Sequence, residues 1–204
     1  ISEISILSGN AADKIAEFNH TAHEYDRSQT ISDMFDEMVE IIPDHTAVVF
    51  KDRKYTYKEL DEISDRLGKY IVSQGIGTED VVSILIPRCE YMAIAPMGVI
   101  KAGAAYQPLD HTYPKGRLMY MLEDSAAKLL IADRELLHLV DGYQGPVLFT
   151  DEIPGLADIK AELKKPQLHD LFILLYTSGS TGVPKGCMLE YGNITAFCRW
   201  YRRY

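Results

Sequence analysis

Leu171-Phe172-Ile173-Leu174-Leu175-Tyr176 runs directly into Thr177-Ser178-Gly179-Ser180-Thr181-Gly182-Val183-Pro184-Lys185-Gly186. Six consecutive apolar residues are too few for a typical helix and suit a strand buried on both faces. A strand that ends in a glycine-rich turn sets backbone N–H groups at the carboxyl edge of a sheet, where open α/β folds hold ligands. Three glycines (Gly179, Gly182, Gly186) permit positive φ and close approach to an anion. Thr177, Ser178, Ser180 and Thr181 add hydroxyl donors, and Lys185 adds a point charge. The expected chemistry is phosphate binding. Two familiar phosphate loops are excluded by the letters themselves. G-x-x-x-x-G-K-[ST] needs Gly before its Lys and Ser or Thr after it, whereas Lys185 stands between Pro184 and Gly186, and the loop holds no G-x-G-x-x-G.

Upstream, apolar runs at Thr46–Phe50, Val81–Ile86, Lys128–Ala132 and Pro146–Phe149 join Leu171–Tyr176 as predicted strands, with helical patterns between most of them. That alternation predicts an α/β fold with a mainly parallel sheet flanked by helices. Thr56 and Glu59 have capping-box spacing ahead of a stripe at Leu60, Ile63, Leu67 and Ile71, which Gly75 should stop. Gly103 should end the helix containing Val99 and Ile100, Tyr106-Gln107-Pro108 should be extended, and Pro114 suits the first turn of the next helix. Pro96 is expected to kink or interrupt its helix. After Gly192-Asn193, Ile194, Phe197, Cys198 and Tyr201 form an expected amphipathic stripe. The polar stretch 151–169 reads as linker-like.

The chain has 204 residues, 47% of them hydrophobic, enough to bury a core without metal or disulfide. Its net charge is −9, with Arg199, Arg202 and Arg203 the one basic cluster, which argues against nucleic-acid binding. An acidic chain can still take a polyphosphate, because a ring of N–H groups and one lysine acts locally and exposed charges are screened beyond about 8–10 Å. Cys89, Cys187 and Cys198 form no metal or redox spacing and fit a reducing cytoplasm. No apolar run approaches the ~20 residues that span a bilayer, and residues 1–30 lack the features of an export signal. His20 and His23 lack companions for a metal site, so none is expected. Asp33, Asp36, Glu37 and Glu40 read as a solvated helix face. Asp110-His111 is no dyad, since adjacent residues of an extended segment point to opposite sides.

Residues 176–186 resemble the signature loop of the adenylate-forming enzymes, the family of acyl-CoA synthetases, luciferases and the adenylation domains of nonribosomal peptide synthetases. Ile100-Lys101-Ala102-Gly103-Ala104-Ala105-Tyr106-Gln107-Pro108-Leu109-Asp110, with Tyr113-Pro114 and Arg117, is similar to the second core motif of the peptide-synthetase branch, and Tyr55-Thr56-Tyr57-Lys58-Glu59-Leu60 to its first. Phe18-Asn19-His20-Thr21-Ala22 to Tyr25 and Thr30-Ile31 is similar to the linker between a condensation domain and an adenylation domain. The resemblance implies a linker over 1–30 and, over 31–204, the first part of the large N-terminal domain of an adenylate-forming enzyme. It implies ATP and Mg²⁺ as cofactors, with Thr177, Ser178, Gly179, Ser180, Thr181, Gly182 and Lys185 holding the triphosphate and Lys185 also acting in catalysis. The implied partners are an amino-acid substrate, a neighbouring condensation domain and a peptidyl carrier domain bearing phosphopantetheine. Other motifs of such domains follow the phosphate loop and do not occur in these residues, so the chain alone is expected to be inactive. An acyl-CoA or carrier-protein ligase, or a noncatalytic nucleotide-binding piece, stays open as an alternative. Tyr191 departs from the histidine commonly found at the matching place. With little apolar surface between Thr177 and Gly186, that loop is expected to order only when a triphosphate arrives.

Overall fold

The computed structural model describes residues 9–22, 24, 26–178 and 182–202. Helix α1 (Gly9–Phe18) is exposed almost throughout, so the segment expected to be a linker contains a helix. Its end is tied to the rest of the chain: Gln29 accepts a hydrogen bond from Arg199, and the Thr30 N–H and hydroxyl both donate to the Asp33 carboxylate. These last bonds start α2 (Ile31–Ile41). A short antiparallel hairpin follows, β1 (Thr46–Phe50) and β2 (Arg53–Thr56), turning at Lys51-Asp52 with Lys51 at φ 53°. β2 escaped the sequence reading because it is only four residues long, opens with two charges and runs straight into the helix signal. The capping box forms as expected, with Glu59 N–H donating to Thr56 Oγ1 (3.1 Å) and Thr56 N–H to Glu59 (2.8 Å). It starts α3 (Tyr57–Ser73), after which Gly75 adopts φ +79°.

The principal sheet contains β3 (Val81–Leu85), β4 (Ala105–Pro108), β5 (Leu129–Ala132), β6 (Val147–Phe149), β7 (Leu171–Thr177) and β8 (Lys185–Glu190) in the order β6-β5-β3-β4-β7-β8. Every neighbouring pair is parallel except β7 and β8. β3 and β5 show why the strand signals are continuous apolar runs. Val82, Ile84, Leu129 and Ile131 pack with α3 and α4 (Tyr91–Lys101), while Leu85, Leu130 and Ala132 pack on the other face with α5 (Lys115–Asp124). Alternate side chains of one strand thus enter two different cores, which is the sandwich of helices on both faces.

Several expectations are corrected. α4 runs through Pro96 without a break; one lost backbone bond is offset by the burial of Ile94, Ala95, Gly98 and Val99 around it. The stretch 151–169 is a strap rather than a linker. A 3-10 segment at Thr150–Gly155 buries Ile153, Pro166 is buried, and Lys165 forms ion pairs with Asp33 (2.8 Å) and Asp36 (3.3 Å) of α2. Those two aspartates therefore do more than solvate a helix face. In α6 (Tyr191–Tyr201) the buried positions are Tyr191 and Thr195, while Phe197 and Tyr201 of the expected stripe are exposed. Side chains four apart share a helix face, and the face that meets the sheet is set by where β8 delivers the chain.

Candidate functional site

The strand order has a switch point. From β3 the chain passes to β4 on one side and then returns to place β5 on the other, so the carboxyl ends of β3 and β4 lead their loops in opposite directions. A cleft of about 420 Å³ opens there, lined by Ile86 and Arg88 after β3, Pro108 at the end of β4 and Leu109 to His111 after it, and Leu175 and Tyr176 near the end of β7. The glycine loop leaves β7 beside the same edge.

Thr177 closes β7 and Lys185 opens β8; they are ladder partners, as are Tyr176 and Gly186. Antiparallel partners put their side chains on one face, so the Thr177 hydroxyl and the Lys185 ammonium stem project to the same side. Both residues are exposed, and Lys185 takes no part in the ion pairs formed among the described residues. Ser178 follows Thr177 and is exposed, and Gly182 adopts φ +81° with open space where a Cβ would lie. The candidate residues Gly179, Ser180 and Thr181 lie outside the described residues, as does His23. So does the middle of the loop expected to order with triphosphate, and its ends are not loop at all. Thr177, Lys185 and Gly186 belong to the hairpin ladder. The loop was expected to exploit glycine freedom at Gly186 as well; instead Gly186 is a strand residue without positive φ, and a Cβ there would crowd the Leu174 side chain at 3.1 Å.

The second motif divides between scaffold and cleft. Gln107 is fully buried, accepts from the Ser83 hydroxyl (2.5 Å) and the Ser125 hydroxyl (2.9 Å), and donates to the Met121 carbonyl (3.1 Å). Lys101 is 7% exposed and is held by Asp61 and Asp65. It lines a second cleft of about 290 Å³ beside the strap, where Lys101 is paired with Asp61 and Asp65 and Lys165 with Asp36. Those are structural roles, as the residues suggested. Asp110 and His111, by contrast, stand at the rim of the switch-point cleft with Arg88. Asp110 accepts from the Thr112 N–H (2.9 Å) and hydroxyl (2.7 Å), which hold its carboxyl below the usual range. Arg88 and this rim were missed because sheet order decides which strand ends adjoin, and no local pattern encodes it. Tyr191 has no such position: it is fully buried, packed edge-on to Phe172 at 5.1 Å, with its hydroxyl donating to the Ile100 carbonyl at 3.4 Å.

Among the described residues no helix is long and apolar enough to cross a membrane, and no group of three metal-ligating side chains occurs. The three cysteines are free.

The AMP-binding enzyme family matches residues 35–204. Gramicidin S synthase 2 of Brevibacillus brevis is 38% identical over 195 residues, covering 95% of this chain and 4% of that protein. Tyrocidine synthase 2 of Brevibacillus parabrevis is 38% identical over 198 residues, covering 95% of this chain and 5% of its own length. This chain thus spans about one twentieth of the curated relatives. Among solved structures, the N-terminal subdomain of Klebsiella oxytoca NpsA in complex with 3-hydroxyanthranilyl-AMSN superposes with a TM-score of 0.74 at 28% identity, covering 85% of this chain and 44% of that one. An artificially fused NpsA-ThdA adenylation-PCP di-domain from the same organism has a TM-score of 0.75 at 28% identity, covering 85% of this chain and 34% of that one.

Proposed function

Because the chain belongs to the AMP-binding enzyme family, we propose that it supplies the triphosphate loop and switch-point cleft of an amino-acid-activating adenylation domain of the nonribosomal peptide synthetase kind. The proposed reaction joins ATP and an amino acid to give aminoacyl-AMP and pyrophosphate. The aminoacyl group then passes to the phosphopantetheine thiol of a peptidyl carrier domain. A neighbouring condensation domain, preceding the 1–30 segment, and a cytoplasmic setting complete the reading. Similarity to peptide synthases at 38% identity supports the amino-acid substrate over an acyl-CoA ligase, and the adenylation-PCP neighbour supports the carrier partner.

The observation that carries the proposal is the hairpin Thr177–Lys185 at the carboxyl edge of a parallel sheet, beside the cleft at its switch point. Attack of a carboxylate on the α-phosphorus builds negative charge on the departing pyrophosphate. The Lys185 ammonium, the Thr177 and Ser178 hydroxyls and the loop N–H groups would offset that charge. Residues 177–186 contain hydroxyls, glycines and one lysine but no carboxylate, so they fit phosphate oxygens rather than a bare cation. A bound Mg²⁺ would be held through the triphosphate and would supply charge neutralisation there.

The test is ATP–pyrophosphate exchange in the protein that carries this chain. Lys185→Ala should slow adenylation by about 2–4 kcal/mol of barrier, the size of one preorganised donor, and leave the unfolding transition in place. Near-normal rates at saturating ATP would remove Lys185 from the reaction. The 204 residues alone should catalyse no exchange.

A further inference from the structure

We propose that Asp124 is a positioning residue for the phosphate loop, acting through the Tyr176 side chain. The assignment rests on the reading of 177–186 as that loop. β7 is held to β4 at the pair Tyr106↔Ile173, so its last residues and the paired start of β8 extend past that ladder contact. Tyr176 ties this projecting end down. Its hydroxyl donates to Asp124 Oδ2 at 2.7 Å, and the Tyr120 hydroxyl donates to the other oxygen of the same carboxylate at 3.3 Å. The two rings meet edge to face, 6.5 Å between centroids. On its other side the Tyr176 ring lies over bare backbone, since a Cβ at Gly186 would stand 3.4 Å from Tyr176 Cζ and 3.5 Å from its hydroxyl.

One ring therefore engages both stems of the loop and connects them to α5. Thr177 follows Tyr176, and Lys185 precedes Gly186. The place of Asp124 supports a purpose beyond helix formation. It is the last residue of α5, where a carboxylate faces the negative end of the helix dipole and is disfavoured unless a donor compensates it. Burial, and then the bond to Asp124, push the Tyr176 phenol well above its ordinary range, so it remains a donor at any physiological pH. The same ring lines the cleft, so one side chain joins the anchor, the loop stems and the cleft wall.

The experiment compares Tyr176→Phe, Asp124→Ala and Asp124→Asn in the protein that carries this chain. Tyr176→Phe and Asp124→Ala should raise the KM for MgATP about three- to tenfold, the effect of one lost hydrogen bond, with kcat nearly unchanged. Asp124→Asn keeps an acceptor oxygen and should restore most of the affinity. Amide exchange at Ser178, Lys185 and Gly186 without nucleotide should quicken in the first two variants and not in the third. Unaltered KM and unaltered exchange, or a fall in kcat alone, would overturn the assignment. If Lys185→Ala leaves ATP use intact, the phosphate-loop reading fails instead, and amide exchange still tests the anchor.

Discussion

Single residues here do work that their sequence context disguises. Tyr191 stands where the resemblance places a histidine, yet it is a core residue, 0% exposed, packed against Phe172. Its hydroxyl makes a long bond to a carbonyl that already accepts from the Gly103 N–H at 2.9 Å. Tyr191→Phe should therefore cost less than about 1 kcal/mol. Tyr191→Ala should cost about 3–5 kcal/mol, because a large buried ring leaves a cavity. Urea unfolding of the two variants measures both. A large loss in the phenylalanine variant would mean that the hydroxyl, not the ring, is the contribution.

At the scale of elements, α3 and α4 meet closely at two glycines, Gly68 and Gly98. A Cβ on Gly98 would overlap the Leu67 side chain, and one on Gly68 would stand 3.1 Å from the Gly98 carbonyl oxygen. Gly98→Ala should cost about 1–3 kcal/mol through overpacking, despite alanine's better helix propensity. Gly116→Ala in α5, where nothing lies within 4 Å of the added Cβ, should instead be neutral or slightly stabilising. Thermal denaturation of the pair separates packing from propensity, and equal shifts would show that the helices do not meet at Gly98. Because α4 carries the sheet-side residues just after the Arg88 loop, loosening this junction also reaches the cleft rim.

Over the whole molecule, buried phenols make stability sensitive to alkali. Burial raises the pKa of Tyr91 to about 12 and pushes Tyr176 and Tyr191 higher still. An unfolded tyrosine ionises near 10. Between these values the unfolded chain has lost protons that the folded chain keeps, so stability is full below pH ~10 and falls as pH rises toward about 12. Tyrosinate absorbance should lag behind that of free tyrosine until the protein unfolds, and then rise together with loss of structure. Titration of all tyrosines near their free value in folded protein would refute it.

Much of this architecture is legible along the chain. Continuous apolar runs announced strands, and β1, β3, β5, β6 and β7 appear within a residue or so of their expected bounds, although β1 lies in a separate antiparallel hairpin and not in the parallel sheet. The Thr56–Glu59 box and the glycines at 75 and 103 marked helix ends, because capping and positive φ are local properties. Four hydroxyls, three glycines and a lysine carry the phosphate proposal for a similar reason: anion affinity needs only neighbouring groups. Strands β2 and β8 were not legible, being short or exposed edges whose pairing, not their composition, makes them strands. Nor was the face that α6 buries, the strapping of 151–169, or the meeting of Arg88, Asp110 and Tyr176 around one cleft. Those depend on which strand lies beside which, a choice made by packing free energy summed over the whole core, and only the folded chain makes it.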